Sequence, residues 1–380
     1  MKVIHLISSL DKGGAETQLV ELINHQLKQN IEIEVCYLKG NSYWVDYLKK
    51  KNINCYFLNY KNSLNLINLV FSVNLFIKII KRFKPDIVHS HLSPSEIISF
   101  LTSFFVDKIK FVTTKHLDSL IFTGSKTNVS SLLGKFIENI ILSRNDKIIC
   151  ISNSVLNFFL TNTKISRSKF TMVYYGINYN LYDEIFDEEI SFFYKKYKLK
   201  KNTFIIGNIA RHVPQKNIYF LIRAFKVFKE NKKVDAKLIL VGNGPLTNDL
   251  KRISKEFNLS EDIIWIDFFE NNVVLYKIFN VFCLTSHYEG LGLVLLESLS
   301  AKTPIIATNT SAIPEIIENN HNGFLVEEND YNKLSELFSN VYDEDLTKIV
   351  ENGRKFIEEK FSPEDMCLRV FKVYKDTLNS

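Results

Sequence analysis

Short apolar runs recur along the chain, separated by longer stretches in which apolar positions return every three or four residues. Runs of three to seven residues bounded by turn residues predict strands. In the first half these are Val3 to Ile7, Ile33 to Tyr37, Asp86 to His89, Phe111 to Thr113, Ile148 to Ile151 and Thr171 to Tyr174. Ala15 to Lys28, Asn65 to Phe83 and Leu132 to Leu142 have helical periodicity. The second half repeats the scheme, with strands at Phe204 to Ile209, Lys237 to Val241, Ile263 to Ile266, Phe282 to Leu284 and Pro304 to Ala307. Apolar strands alternating with helices imply parallel sheets covered on both faces. The expected fold class is therefore α/β, with two doubly wound parallel sheets.

The pattern weakens between the halves, where the segment around Ile177 to Lys201 is charged and lacks a clean apolar face. The expected division is a first domain over residues 1–180, a linker over 181–201 and a second domain over 202–361. A final amphipathic helix over 362–380, with Pro363 in its first turn, is placed to reach back to the first domain. A length of 380 residues fits two cores better than one.

Composition narrows the class. Hydrophobic residues make up 46% and charged residues 24%, as in a globular protein. No run of 18 or more uncharged apolar residues occurs, so no spanning helix is expected. Met1 to Leu10 is apolar but stops at Asp11 without a basic region or cleavage site, and reads as a strand rather than a signal peptide. Five scattered cysteines without a Cys-x-x-Cys pair point to a reducing cytoplasm, and no histidine or cysteine cluster with metal-ligand spacing is visible. Metal-free chemistry without a cofactor is expected.

Charge separates the halves. Residues 1–180 hold 22 Lys and Arg against 12 Asp and Glu, a balance of +10, whereas the remainder is mildly acidic. Phe76 to Lys84 concentrates the excess. There Phe76, Ile79, Ile80 and Phe83 share one helical face and Lys78 and Arg82 another. Packing of the apolar face on a sheet is the plainer reading of that face, while the net charge suits an anionic membrane surface or a lipid-phosphate acceptor. Nucleic acid is not expected, because basic and aromatic residues are not interleaved in a recognition motif.

The densest chemistry lies in Ser286-His287-Tyr288-Glu289-Gly290-Leu291-Gly292-Leu293, followed by Glu297. A strand ends there, a glycine-spaced turn follows, and a helix opens whose N-terminus favours phosphate. At about 1.5 Å per helical residue, Glu289 and Glu297 would lie about 12 Å apart, close to the span from sugar to ribose in a nucleotide-sugar. An ordinary βα unit with surface glutamates would have the same pattern. Arg211 and Lys216 flank a Pro-bearing loop after another strand, and two cations beside a helix start suit a diphosphate leaving group; a surface salt-bridge pair is the alternative. Asp11-Lys12-Gly13-Gly14 opens a helix after the first strand, as an anion-binding loop or a tight turn. His116, after Phe111 to Thr113, falls at a strand end facing a cleft.

Together these residues resemble the retaining nucleotide-sugar glycosyltransferases of family 4, which have the GT-B fold of two Rossmann-like domains. The resemblance covers essentially the whole chain and is strongest from Phe204 to Val326. Its most specific part is Glu289-Gly-Leu-Gly-Leu-Val-Leu-Leu-Glu297. It implies that Glu289 binds hydroxyls of the transferred sugar and Glu297 the ribose. It also implies that Arg211 and Lys216 hold the diphosphate, with Gly290, Leu291, Gly292 and Leu293 at the donor. Gly13 and Gly14 match the first glycine loop, His116 a histidine near the donor sugar, and Phe268 and Phe269 the region that holds the base. Three positions depart from the pattern: Lys302 stands for a usual Gly, Ser311-Ala312-Ile313 for a Gly-rich turn, and Tyr175 for a usual Asn.

The expected function is a cytoplasmic glycosyltransferase, with a peripheral place on the inner face of the membrane the accompanying expectation. It would use a UDP-, GDP- or ADP-linked donor and a lipid-linked or cell-surface glycan acceptor. A nucleotide-sugar epimerase of the same fold and a non-catalytic nucleotide-sugar binder are the alternatives.

Overall fold

In a computed structural model, which describes residues 1–40, 43–60, 66–120, 128–184 and 186–380, the chain divides into two compact units. Unit 1 comprises residues 1–176 and 363–380, and unit 2 residues 177–362. The sequence segment 181–201 therefore lies within unit 2, where it carries the helix α7 (Asp187–Lys196).

Unit 1 is built on β1 (Lys2–Ser9), β2 (Glu32–Lys39), β3 (Asn54–Phe57), β4 (Ile87–His91), β5 (Lys110–Lys115), β6 (Lys147–Cys150) and β7 (Phe170–Met172). They form one parallel sheet in the order β3-β2-β1-β4-β5-β6-β7. The order reverses between β1 and β4, where Ile4 sits beside Val88 and Ile7 beside His91. Helices α1 (Gly14–Lys28), α2 (Val45–Lys50), α3 (Leu66–Phe83), α4 (Ser93–Thr102), α5 (Asn128–Ser143) and α6 (Asn153–Asn162) make the connections.

The buried side chains explain these choices. β1 is buried at every position from Val3 to Ser8, as a central strand covered on both faces requires. In α3, Phe76, Ile79 and Ile80 pack into the core with Ile4, Leu6 and Val88, which is the plainer of the two sequence readings for that face. The expected first residue of this helix, Asn65, lies outside the described residues. The segments β3, whose positions are half-buried or exposed, and, in unit 2, Phe324–Val326 are strands that the apolar pattern did not single out.

The last helix of the chain, which closes unit 1, spans Pro363–Leu378, with Pro at its first position. It packs on α1, where His25 Nε2 lies 3.0 Å from Glu364 Oε1 and Gln26 Nε2 donates to the Tyr374 hydroxyl.

Unit 2 repeats the design with β8 (Phe204–Ile209), β9 (Ala236–Val241), β10 (Ile263–Ile266), β11 (Val281–Leu284), β12 (Ile305–Thr308) and β13 (Phe324–Val326). They form a parallel sheet in the order β10-β9-β8-β11-β12-β13, reversing between β8 and β11. The helices are α7 above and α8 (Ile218–Asn231), α9 (Thr247–Glu256), α10 (Asn272–Ile278), α11 (Leu293–Ser300), α12 (Tyr331–Asp343) and α13 (Thr347–Lys360). Gly207 of β8 is required by packing: a Cβ there would lie 2.2 Å from the Phe279 ring. Ligands of open parallel sheets bind beyond the carboxyl ends of the strands, where the strand order reverses. In unit 2 that point lies between the loops after β8 and β11, and in unit 1 between those after β1 and β4.

Candidate active site

The two unit 2 loops at the reversal carry Arg211, Lys216 and Glu289, and backbone contacts stitch them together. His287 N donates to Gln215 O at 2.8 Å, Gln215 Nε2 donates to Tyr288 O at 2.8 Å, and Thr285 Oγ1 donates to Lys216 O at 3.1 Å. Across this seam Lys216 Nζ lies 2.5 Å from Glu289 Oε1. The same oxygen accepts from Ser286 Oγ at 2.6 Å. Glu289 is thus a buried carboxylate with a cation and a hydroxyl on one oxygen. Charge-assisted bonds of this kind fix geometry closely. Arg211 lies exposed in the loop after β8 and forms no ion pair among the described residues.

The signature stretch departs from the sequence expectation in one respect. The helix opens only at Leu293, with Gly292 as its N-cap in the left-handed region at φ 89°. Such a conformation favours glycine. Half of the interval from Glu289 to Glu297 is therefore loop, so helical rise does not set the distance between the two carboxylates. Glu297 sits in the second turn of α11, where Tyr276 donates its hydroxyl to Oε2 at 2.7 Å. Tyr276 is fully buried beside Tyr182. Neither Ser286 nor Tyr276 was recognised from sequence. Ser286 lay in plain view three residues before Glu289, whereas Tyr276 reaches Glu297 only through the fold.

Phe268 and Phe269 follow β10, and Phe269 makes an edge contact with the buried Phe193 while Phe268 is exposed. Two of the three departures from the family pattern have a structural counterpart here. Lys302 has φ 58° and Ser311 φ 53°, in the region that glycine occupies without strain. Ser311 Oγ donates to Glu289 O at 3.1 Å, so this turn touches the site.

In unit 1 Gly13 caps α1 with extended backbone, and Gly14 is the first helical residue. A Cβ on Gly13 would meet Glu16 Oε2 at 2.4 Å, and Glu16 accepts from Ser9 Oγ. His116 follows β5, is buried, and binds the Tyr175 hydroxyl through Nδ1. Tyr175 is the third departure, so that substitution wires directly to this histidine. Burial, reinforced by Lys115, pushes His116 down to about 3 and keeps it neutral. Its Nε2 and Gln18 Oε1 have no partner among the described residues, and both residues line a cavity of about 30 Å³.

The fold also assembles what linear spacing did not reveal. His5, His89 and His91 are buried with nitrogens within 4.8 Å of one another, correcting the expectation that no histidine cluster exists. Bond directions that satisfy each member run in one sense. His91 Nε2–H donates to His5 Nδ1, and His5 Nε2–H to Gln26 Oε1. Gln26 Nε2–H donates to the Tyr374 hydroxyl, Tyr374 O–H to His89 Nδ1, and His89 Nε2–H to Thr114 Oγ1. This wiring uses both nitrogens of His5 and His89 and needs neutral imidazoles. Burial lowers all three, His5 to about 4. The cluster therefore fastens the C-terminal helix to the sheet and is not read as a metal centre. Beside it, Lys115 bonds Glu96 and Glu138, each at 2.8 Å; burial alone would discharge Lys115, but the two carboxylates hold it protonated.

Two parallel-sheet units, each with its candidate residues on loops at the carboxyl ends of the strands, define a fold of the GT-B class. Residues 189–356 match the family described as Glycosyl transferases group 1, and residues 12–181 match Glycosyltransferase Family 4. The chain belongs to family 4 of the glycosyltransferases. It is 27% identical to the capsular polysaccharide biosynthesis glycosyltransferase CapM of Staphylococcus aureus, over 88% of this chain and 93% of CapM. It is 26% identical to the UDP-Gal:alpha-D-GlcNAc-diphosphoundecaprenol alpha-1,3-galactosyltransferase of Escherichia coli, over 79% of this chain and 78% of the enzyme. The crystal structure of Anabaena HepE in complex with UDP-glucose superposes with a TM-score of 0.84 at 17% identity, over 99% of this chain and 100% of HepE.

Proposed function

We propose that the protein is a retaining transferase that moves a glycosyl group from a nucleoside-diphosphate sugar to a hydroxyl of a lipid-linked or cell-surface glycan intermediate. The observation that carries this reading is the Lys216–Glu289–Ser286 cluster on two stitched loops where the unit 2 strand order reverses. Lys216 and Arg211 supply positive charge for a diphosphate, and the acidic Glu289 beside them suits sugar hydroxyls. The anomeric carbon loses its bond to the phosphate oxygen and gains one to the acceptor oxygen on the same face. The departing diphosphate takes the acceptor proton, so no enzyme nucleophile is needed. Cations fixed in advance stabilise the charge that develops on the leaving group. Glu297, held by Tyr276, is assigned to the ribose, and the segment at Phe268 and Phe269 to the base. In unit 1, Gly13, Gly14 and the neutral His116 are assigned to the donor phosphate and sugar.

A UDP-linked donor and an undecaprenyl-diphosphate-linked acceptor have support in the E. coli relative, and a UDP-linked donor also in the HepE complex. Thermal-shift screening with UDP-, GDP- and ADP-sugars identifies the donor, because a ligand that binds only the native state raises its melting temperature. Glu289→Ala and Lys216→Ala should each abolish transfer at a temperature where circular dichroism shows both variants folded. Wild-type turnover in the double variant would refute the assignment, and consumption of the donor without any acceptor would indicate an epimerase instead.

A further inference from the structure

We infer that unit 1 binds one buried water molecule between His116 Nε2 and Gln18 Oε1, and that Gln18 and Tyr175 thereby act as positioning residues for His116. The water site stands on unit 1 alone. Its bearing on the donor sugar rests on the transfer reading, in which His116 is assigned to that sugar. Two hydrogen bonds fix the chemistry. Gln18, in the second turn of α1, is buried, and its Nε2 donates to Gly176 O at 2.9 Å. A carboxamide oxygen cannot donate to a carbonyl, so this bond settles which end of the amide faces Gly176 and turns Oε1 away from it. Tyr175 settles the same question for His116. Burial raises its phenol well above the ordinary range, so it keeps its proton, and His116 Nδ1 is its one hydrogen-bond partner among the described residues. Tyr175 O–H therefore donates to Nδ1, and the ring, which burial keeps neutral, carries its own proton on Nε2.

The two atoms left over are an N–H that must give and an oxygen that must take. Neither has a partner among the described residues, and Gln18 and His116 are only 6% and 9% exposed. Both line the same cavity of about 30 Å³, whose other walls include Leu22, Ile149, Val173 and Val370. A void walled only by such apolar groups stays dry. One with unmet polar atoms takes up water, for which at least about 10–15 Å³ is enough. A water serves both atoms at once, accepting from Nε2–H and donating to Oε1. A metal ion would need a lone pair on Nε2, which this tautomer lacks. An anion has no proton for Oε1, and an ammonium ion cannot accept from Nε2–H. Thr114 lines the same cavity; its hydroxyl accepts from His89 and keeps a proton to donate, so it can supply a third bond.

With the water the bonds close into a ring. Tyr175 donates to His116, His116 to the water, the water to Gln18, and Gln18 to Gly176, which follows Tyr175 in the chain. Helix α1, the loop after β5 and the segment after β7 are joined in this way. Gly176 N in turn donates to Met366 Sδ at 3.2 Å, so the last helix of the chain holds the same segment. His116 cannot turn without breaking two bonds. Both of its ring nitrogens are engaged, so a bond from His116 to the donor sugar passes through the water. A bridged contact of this kind is nearly as favourable as a direct one.

Crystals of the full chain that diffract well enough to show ordered water test the site directly. The expected result is a single peak about 2.7–3.2 Å from both His116 Nε2 and Gln18 Oε1, lost in Gln18→Met. Heteronuclear NMR of isotope-labelled histidines, with the His116 signal assigned by its absence in His116→Asn, should show a neutral ring with its proton on Nε2 at about pH 7. Tyr175→Phe should give a mixture of the two tautomers. Both Gln18→Met and Tyr175→Phe should raise the KM for the donor about threefold to tenfold and change kcat less than about twofold. Circular-dichroism melts check folding, and Gln18→Leu serves if the Met variant is unstable. No peak in the wild type, density longer than one water, a proton on Nδ1, or an unchanged tautomer in Tyr175→Phe would each overturn the inference. An unchanged KM in both variants would overturn the role toward the donor. A wild type that transfers no sugar from any donor refutes the transfer reading instead, and the peak and the tautomer still decide the water site.

Discussion

Replacing Lys216 with Met keeps an unbranched side chain one atom shorter and removes its charge, so it isolates what the cation does for Glu289. The Lys216 and Glu289 side chains are 16% and 8% exposed, and the charged atoms lie 2.5 Å apart. Removing one partner of a buried ion pair costs about 3–5 kcal/mol, because the other charge is left uncompensated. Here Ser286 Oγ stays at 2.6 Å, and some solvent reaches Lys216, so the expected loss is nearer about 2–3 kcal/mol. For a unit of this size that corresponds to roughly 4–12 °C in melting temperature. The chain has two tryptophans, Trp44 in unit 1 and Trp265 in unit 2. In a Trp44→Phe background, Trp265 fluorescence in urea therefore reports on unit 2. Glu289→Gln should be destabilising in its turn, and the double variant should recover much of the loss, giving a coupling of at least about 1.5 kcal/mol. If the two single effects simply add to within about 0.5 kcal/mol, the pair does not hold the two loops together and the argument fails.

Two further outcomes follow from the same physics. His5, His89, His91 and His116 are all lowered by burial, with His5 at about 4 and His116 at about 3, so each takes up a proton on unfolding at mildly acidic pH. Stability of unit 1 should be constant above about pH 7 and fall as pH drops below about 6.5 toward 4, by up to about 1.4 kcal/mol per pH unit for each histidine; Trp44 fluorescence in a Trp265→Phe background measures it, and a urea midpoint that rises between pH 7 and 5 would refute it. Lys302→Gly should relieve a left-handed backbone worth about 1 kcal/mol and raise the urea midpoint of unit 2, whereas Ser311→Gly also gives up a hydroxyl bond to Glu289 O and should leave it unchanged or lower; equal gains from both would show that this bond carries no weight.

The sheets were largely legible because their central strands are buried on both faces and so read as unbroken apolar runs. β8 at Phe204–Ile209 and β11 at Val281–Leu284 emerge from periodicity to within a residue. β3 did not, since its pattern mixes half-buried and exposed positions at the edge of a sheet. α3 also carries exposed apolar residues at Ile67, Val70 and Phe71 that were overlooked: once Phe76, Ile79 and Ile80 account for the core, periodicity does not ask about the opposite face. At the site, the charged groups Glu289, Lys216 and Arg211 were visible as motif residues on strand-end loops. Their partners were not, because a hydroxyl that orients a carboxylate carries no spacing rule. Tyr276 reaches Glu297 from another helix, and Tyr374 joins His89 across most of the chain. The histidine cluster was hidden in the same way, since His5 meets His91 only when β1 pairs with β4.

The three departures from the family pattern acquire a common meaning once their conformations are known. Lys302 and Ser311 keep left-handed backbone despite carrying side chains, so the turns they occupy are imposed by the surrounding structure rather than by local preference. At Ser311 the side chain offsets part of that strain by bonding the backbone of Glu289, which ties the turn before Pro314 to the carboxylate loop. Tyr175 acts in unit 1 by another route: its hydroxyl engages Nδ1 of His116, so Nε2 is the nitrogen left to face the adjoining cavity. An Asn, with its shorter side chain, would leave that hydroxyl position unfilled and His116 free to turn. Tyr175 and Ser311 therefore change how His116 and the Glu289 loop are held, while Arg211, Lys216, Glu289 and Glu297 keep the residues of the pattern. Replacement of Tyr175 or Ser311 therefore bears first on how His116 and the Glu289 loop are positioned.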